Sequence, residues 1–70
     1  MRLSTRNQLA GVVTEVTVGS VMATVKVRLN GGDQVITASI TREAAEELDL
    51  AAGSEVVALI KSTEVMIGVE

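Results

Sequence analysis

The sequence contains no cysteine, no histidine and no aromatic residue. Without cysteine no disulfide can form. Without cysteine and histidine together, the usual ligand sets of zinc, haem and iron–sulfur centres are missing. The same two absences remove the commonest general base and the most reactive nucleophile. The lack of aromatic rings leaves no platform on which single-stranded bases could stack. Six basic residues stand against nine acidic ones, for a formal net charge of −3, so no basic face is expected for a nucleic-acid backbone. No apolar run approaches the roughly 18 residues a membrane-spanning helix requires, and residues 1–8, MRLSTRNQ, are polar rather than signal-like. The expectation is a cytoplasmic protein with neither a nucleic-acid nor a membrane partner.

What remains is aliphatic. Hydrophobic residues make up 47% of the 70-residue chain, all of them Val, Ile, Leu, Ala or Met. A chain of this length is one domain, residues 1–70, and buries only about 60% of the surface it exposes when unfolded. Small scaffolds usually add disulfides, a metal or partner subunits. The first two lack their residues here, which leaves self-association.

The alternation of the aliphatic residues predicts strands. Residues 8–18, QLAGVVTEVTV, are rich in β-branched side chains, with Gly11 marking a bend or bulge. A turn at Gly19-Ser20 leads into residues 21–29, where Val21, Ala23, Val25, Val27 and Leu29 share one face and Met22, Thr24, Lys26 and Arg28 the other. The NGGD sequence from Asn30 to Asp33 is a strong hairpin signal before a returning strand at 34–40. The period then changes. Thr41 can N-cap a short helix carrying Ala44, Ala45 and Leu48 on one stripe, and Gly53 lies in the following turn. Residues 55–61 and 64–69 read as two more strands joined by a hairpin. The resulting order, β-β-β-α-β-β, predicts an all-β fold with one short helix, a small five-stranded barrel of the OB type. The last two strands carry apolar groups on both faces (Val57 and Leu59 against Val56, Ala58 and Ile60), more than one barrel interior can bury. A second apolar surface, and with it a homo-oligomer, is therefore expected.

Hydrogen-bond donors concentrate in three places. Lys61, Ser62 and Thr63 interrupt the apolar run VVALIKSTEVMIGVE; Ser4, Thr5, Arg6 and Asn7 precede the first strand; Thr37, Ser39 and Thr41 lie in ITASIT. Each has an ordinary explanation: a solvated turn, a loose chain start, common strand composition. Taken together they suggest an anion site at strand ends. Donors without a carboxylate suit a fully deprotonated tetrahedral dianion, whereas phosphate near neutral pH retains a proton that needs an acceptor. Four or five charge-assisted hydrogen bonds at about 1.5–3 kcal/mol each would leave roughly 8 kcal/mol after ordering costs, about micromolar binding. No catalytic set is visible, since Ser62 has only Lys61 beside it, and no enzyme is expected.

The segments STRNQLAGVV, GGDQVITASIT and VVALIKSTEVMIGV, in this order over Leu3 to Val69, resemble the molbindins, the small Mop proteins whose fold also occurs as the TOBE domain of molybdate transporters and regulators. The resemblance implies a cytoplasmic protein that binds molybdate or tungstate, needs no other cofactor, and stores the oxyanion rather than transforming it. It implies a hexamer, a trimer of dimers, with oxyanions held between subunits. By position it implies a site made by Ser4, Arg6, Asn7, Lys61 and Ser62. In that site Arg6 and Lys61 neutralise the dianion while Ser4, Ser62 and nearby backbone N–H groups fix its oxygens. Thr5, which stands where many relatives have Ala, together with Ser39 and Thr41 are weaker candidates. Gly19, Ser20 and Val21 are candidates for a second kind of oxyanion site that the family has. A regulatory or interaction TOBE module acting with a transporter or regulator is the alternative; a start at Met1 and an end soon after the last strand favour the free-standing protein.

Overall fold

The alternating Val, Ile and Thr residues build an antiparallel sheet in the computed structural model, which describes all residues 1–70. The elements are β1 (Asn7–Val18), β2 (Met22–Leu29), β3 (Val35–Thr41), α1 (Arg42–Glu47) and β4 (Glu55–Ile60), followed by a 3-10 turn at Ser62–Glu64. The strand order is β3-β2-β1-β4. The sheet curls into a half-barrel. Its inner face holds Val13, Val25 and Val27, with Val16, Ile36, Ala38, Ile40, Leu50 and Val56 packed around them. Ala23, Val25 and Val27 are buried from β2, while Lys26 and Arg28 on the opposite face are exposed, as the alternation predicts.

Two backbone devices shape β1. The pairing register with β2 shifts between Val13 and Glu15. This bulges Thr14, whose hydroxyl donates to the Lys26 carbonyl at 3.3 Å, and it lets Val13 and Val16 serve the same interior despite their odd spacing. Gly11 is not the bulge. Its role is close approach: a Cβ there would lie 2.5 Å from the Arg28 carbonyl oxygen and 2.7 Å from Val27 Cγ1.

Thr41 caps α1, its Oγ1 accepting from Ala44 N–H at 3.1 Å. The helix ends earlier than the sequence suggests. Asp49 adopts φ 52°, its N–H donating to the Glu46 carbonyl at 3.0 Å, and Leu50 N–H donates to the Ala45 carbonyl at 3.1 Å. These two bonds form a Schellman closure with aspartate where glycine is usual. Ala45 is buried, but Leu48, expected on the same stripe, is exposed, because the closure turns the chain away at that point.

The expected fifth strand is absent. Lys61 to Glu64 make a 3-10 turn rather than a hairpin, with Glu64 N–H donating to the Lys61 carbonyl at 2.9 Å. Val65 is extended at φ −89°, ψ 125°, yet beyond its own N–H no backbone hydrogen bond holds residues 65–70 to the chain. Met66, Ile67 and Val69 are 91%, 87% and 93% exposed. The segment has a strand's alternation but no edge to pair with, and a strand is defined by its neighbour. The sheet is therefore open and four-stranded, with β3 and β4 as free edges.

Gly11→Ala should destabilise the fold by about 1–3 kcal/mol, since the methyl would overlap the backbone of β2 at Arg28 as well as the Val27 side chain. Urea unfolding would measure it, and an unchanged midpoint would contradict the close approach. Asp49→Gly should stabilise by about 0.5–1 kcal/mol by relieving the left-handed strain, which the same assay checks.

Candidate anion-binding site

β1 and β4 pair antiparallel from Asn7 opposite Ile60 to Val12 opposite Glu55. This register sets the residues just before β1 beside those just after β4. Ser4, Thr5, Arg6, Lys61, Ser62 and Thr63 together line one open concavity of about 330 Å³ with no apolar and no acidic residue. All but the half-buried Thr5 are exposed.

Every donor in this concavity is uncommitted. The chain's sole ion pair joins Arg42 to Glu46 at 2.8 Å, so neither the Arg6 guanidinium nor the Lys61 ammonium has a carboxylate partner. The hydroxyls of Ser4, Thr5, Ser62 and Thr63 make no hydrogen bond within the chain. The backbone N–H groups of the same six residues also lack partners inside the chain. The start of the 3-10 turn leaves its first N–H groups free for the usual reason that no preceding carbonyl reaches them. Two cations, four hydroxyls and free amides without an opposing carboxylate form an arrangement that can accept a small anion with several lone pairs.

The remaining sequence candidates are distributed differently. Asn7 does not line the concavity; its Nδ2 donates to the Ile60 carbonyl at 3.1 Å. Thr63, to which the sequence reading gives no contact, does line it, and the signal was its place in the same Lys-Ser-Thr turn. Ser39 is exposed on β3 opposite Thr24 and lies outside this concavity. Ser20, Val21 and Thr41 line a separate concavity with Arg42, Glu43 and Glu46. Gly19 is not among its lining residues, and its N–H is used on the Met22 carbonyl at 2.8 Å. Two carboxylates and an arginine already paired to one of them make this second place much less suited to a dianion than the first. A larger concavity of about 730 Å³ on the outer face of β1 and β4 is lined mainly by apolar groups, among them Ala10, Val12, Leu48, Val57 and Leu59. It offers an anion nothing. No group of three or more His, Cys, Asp or Glu residues is arranged to hold a metal cation, and no helix is long and apolar enough to cross a membrane.

Comparison with known proteins gives a consistent result. The TOBE domain family matches residues 3–67. Molybdenum-pterin-binding protein 3 of Clostridium pasteurianum is 46% identical over 67 residues, covering 96% of this chain and 97% of that protein. The molybdenum transport protein ModE of Azotobacter vinelandii is 49% identical over 70 residues, but this chain, matched in full, spans only 26% of it. Among solved structures, the cytoplasmic molybdate-binding protein ModG, with molybdate bound, superposes with a TM-score of 0.92 at 43% identity, covering all of this chain and 49% of that one. These are binding and transport proteins, not enzymes, and the chain belongs to their family, the TOBE-domain proteins of the molbindin (Mop) type.

Proposed function

We propose that the protein binds molybdate or tungstate in the concavity between the start of β1 and the end of β4, and stores or buffers the oxyanion in the cytoplasm without transforming it. The observation that carries this reading is the convergence of two donor segments from opposite ends of the chain, all their donors free, on one concavity that contains no carboxylate. Arg6 and Lys61 offset the two negative charges. Ser4 and Ser62, with Thr5 and Thr63 beside them, donate to the oxygens along with the free backbone N–H groups. A dianion that only accepts hydrogen bonds satisfies such a lining. Monohydrogen phosphate would find no carboxylate for its proton, only hydroxyl lone pairs or water, and would take up one of the hydroxyls as an acceptor. The relatives' descriptions as molybdenum-pterin-binding and molybdate-binding proteins support the choice of anion.

The concavity is open on one side, and a second copy of the chain is the proposed cover. Residues 65–69 of one copy, apolar on alternate positions from Val65, would enter between the free edges of β3 and β4 of another. That closes the open sheet into the five-stranded barrel. The exposed Val57 and Leu59 on the outer face of β4 supply a further apolar contact. The assembly proposed is a hexamer, a trimer of dimers, with oxyanions between subunits. The second reading, a regulatory or interaction module working with a transporter or regulator, is favoured by the ModE match, of which this chain is about a quarter.

Isothermal titration of the assembled protein with molybdate, tungstate, sulfate and phosphate tests the site. Molybdate and tungstate should bind at about micromolar or tighter, and phosphate well below them. Arg6→Ala and Lys61→Ala should each weaken molybdate by about tenfold or more, the loss of one charge-assisted partner. A folded protein that ignores molybdate would leave Lys61-Ser62-Thr63 as a turn and put the interaction module first. Deleting residues 65–70 should lower the assembled mass in sedimentation; an unchanged profile would remove the exchanged strand.

A further inference from the structure

Asn7 matches the molbindin pattern beside Ser4 and Arg6, yet its side chain is turned to another purpose. It is half-buried as the first residue of β1, directly opposite Ile60, the last residue of β4. Its Nδ2 donates to the Ile60 carbonyl at 3.1 Å, across 53 positions of sequence. The residue before it is Arg6 and the residue after Ile60 is Lys61, so this bond adds a side-chain tie, at the last pair of the backbone ladder, between the two chain segments that carry the two unpaired cations. Neither cation is held by an ion pair within the chain. At that end of the pairing the ladder stops, and no hydrogen bond joins residues 4–6 directly to residues 61–63. A second amide fixes the near side: Gln8 Nε2 donates to the Thr5 carbonyl at 2.8 Å, folding the donor segment back over the start of β1.

We infer that Asn7 is a positioning residue for the anion site, a strap that holds the Arg6 and Lys61 segments at binding distance before the anion arrives. The inference rests on the anion-binding reading of that concavity, and it assigns Asn7 no contact with the anion. Its chemistry fits the task. An amide N–H can bridge to a carbonyl, and unlike a lysine or arginine in its place it adds no third positive charge beside the two already there. Preorganisation of this kind raises affinity by removing an ordering cost that the ligand would otherwise meet. Without the strap, the two segments separate in the empty protein and must be drawn together on binding.

Three measurements on the assembled protein decide it. Asn7→Ala should bind molybdate about fivefold more weakly, the loss of one side-chain-to-backbone hydrogen bond, with the assembled mass unchanged. In the anion-free state, its backbone NMR order parameters should fall at residues 4–6 and 61–63 and not in the middle of the sheet. The double substitution Asn7→Cys with Ile60→Cys supplies a replacement strap. Directly paired strand residues have Cα separations of about 4.5–5.5 Å, inside the range a disulfide spans, and the chain contains no other cysteine to compete. Reduced, this variant should bind as weakly as Asn7→Ala; oxidised, it should recover to within about twofold of the unsubstituted protein. An oxidised form no tighter than the reduced one would show that the amide itself meets the anion and would overturn the inference, as would an Asn7→Ala variant with unaltered affinity. If the unsubstituted protein bound no molybdate, the anion reading would fall by itself, and unaltered order parameters in Asn7→Ala would then separately remove the strap.

Discussion

The register between β1 and β4 is the constraint on which the rest depends. Asn7 faces Ile60 and the pairing runs inward from there to Val12 and Glu55. The side-chain period of a strand is two, so a slip by one residue would turn the whole apolar set of β4 to the opposite face. With the observed register, Val56, Ala58 and Ile60 lie toward the interior and the six donor-bearing residues meet just beyond the last pair. The same pairing thus sets both the core and the site. On its other side β1 approaches β2 at Gly11 too closely for any Cβ, and the bulge at Thr14 then returns the valines of β1 to the inside.

Much of this was legible in the sequence because it is governed by local rules. The clean alternation from Val21 to Leu29 has one physical solution, a half-buried strand, and Thr41 before Arg42 is a cap whose hydroxyl finds its amide. The turn at Asp49 was hidden because aspartate is an uncommon choice for a left-handed position, and Gly53 four residues later offered a more familiar stop. The function of Gly11 is hidden for a related reason: a glycine within a strand signals a bulge or a close approach equally well, and only the neighbouring backbone distinguishes them. At the candidate site, the donor types were visible and their convergence was suggested by position at strand ends. The use of the Asn7 amide was not visible, because a side chain's partner 53 positions away leaves no mark on local pattern.

The missing fifth strand has a different cause. Residues 64–69 carry the alternation of a strand. Pattern specifies which faces a segment can present, but hydrogen-bonding partners come from topology, and the 3-10 turn at Ser62 directs the chain off its own sheet. The buried core is correspondingly small. Five aliphatic residues are buried, while Val57, Leu59 and the apolar residues after Glu64 remain exposed. A 70-residue chain without disulfide, metal or aromatic ring has few other sources of stability than a second copy. The surface that looks like an excess within one chain is what such an assembly would bury.

The distribution of charge fits the same picture. With a net charge of −3 the protein repels an anion at long range, though at physiological ionic strength that repulsion fades over about 8 Å. Recognition must therefore be short-range, made of hydrogen bonds rather than of a guiding field. The acids are gathered in good part on α1 and its exit, at Glu43, Glu46, Glu47 and Asp49, where one of them takes Arg42. Arg6 and Lys61 have been left without such partners despite a surplus of carboxylates elsewhere in the chain. Two cations on one concavity without a counter-charge are unfavourable in the empty protein; in the proposed site a dianion would offset both, whereas a monoanion would offset only one. On the proposed reading, the charge count, a lining without carboxylates and a strap that keeps the cations close would together favour a doubly charged ligand.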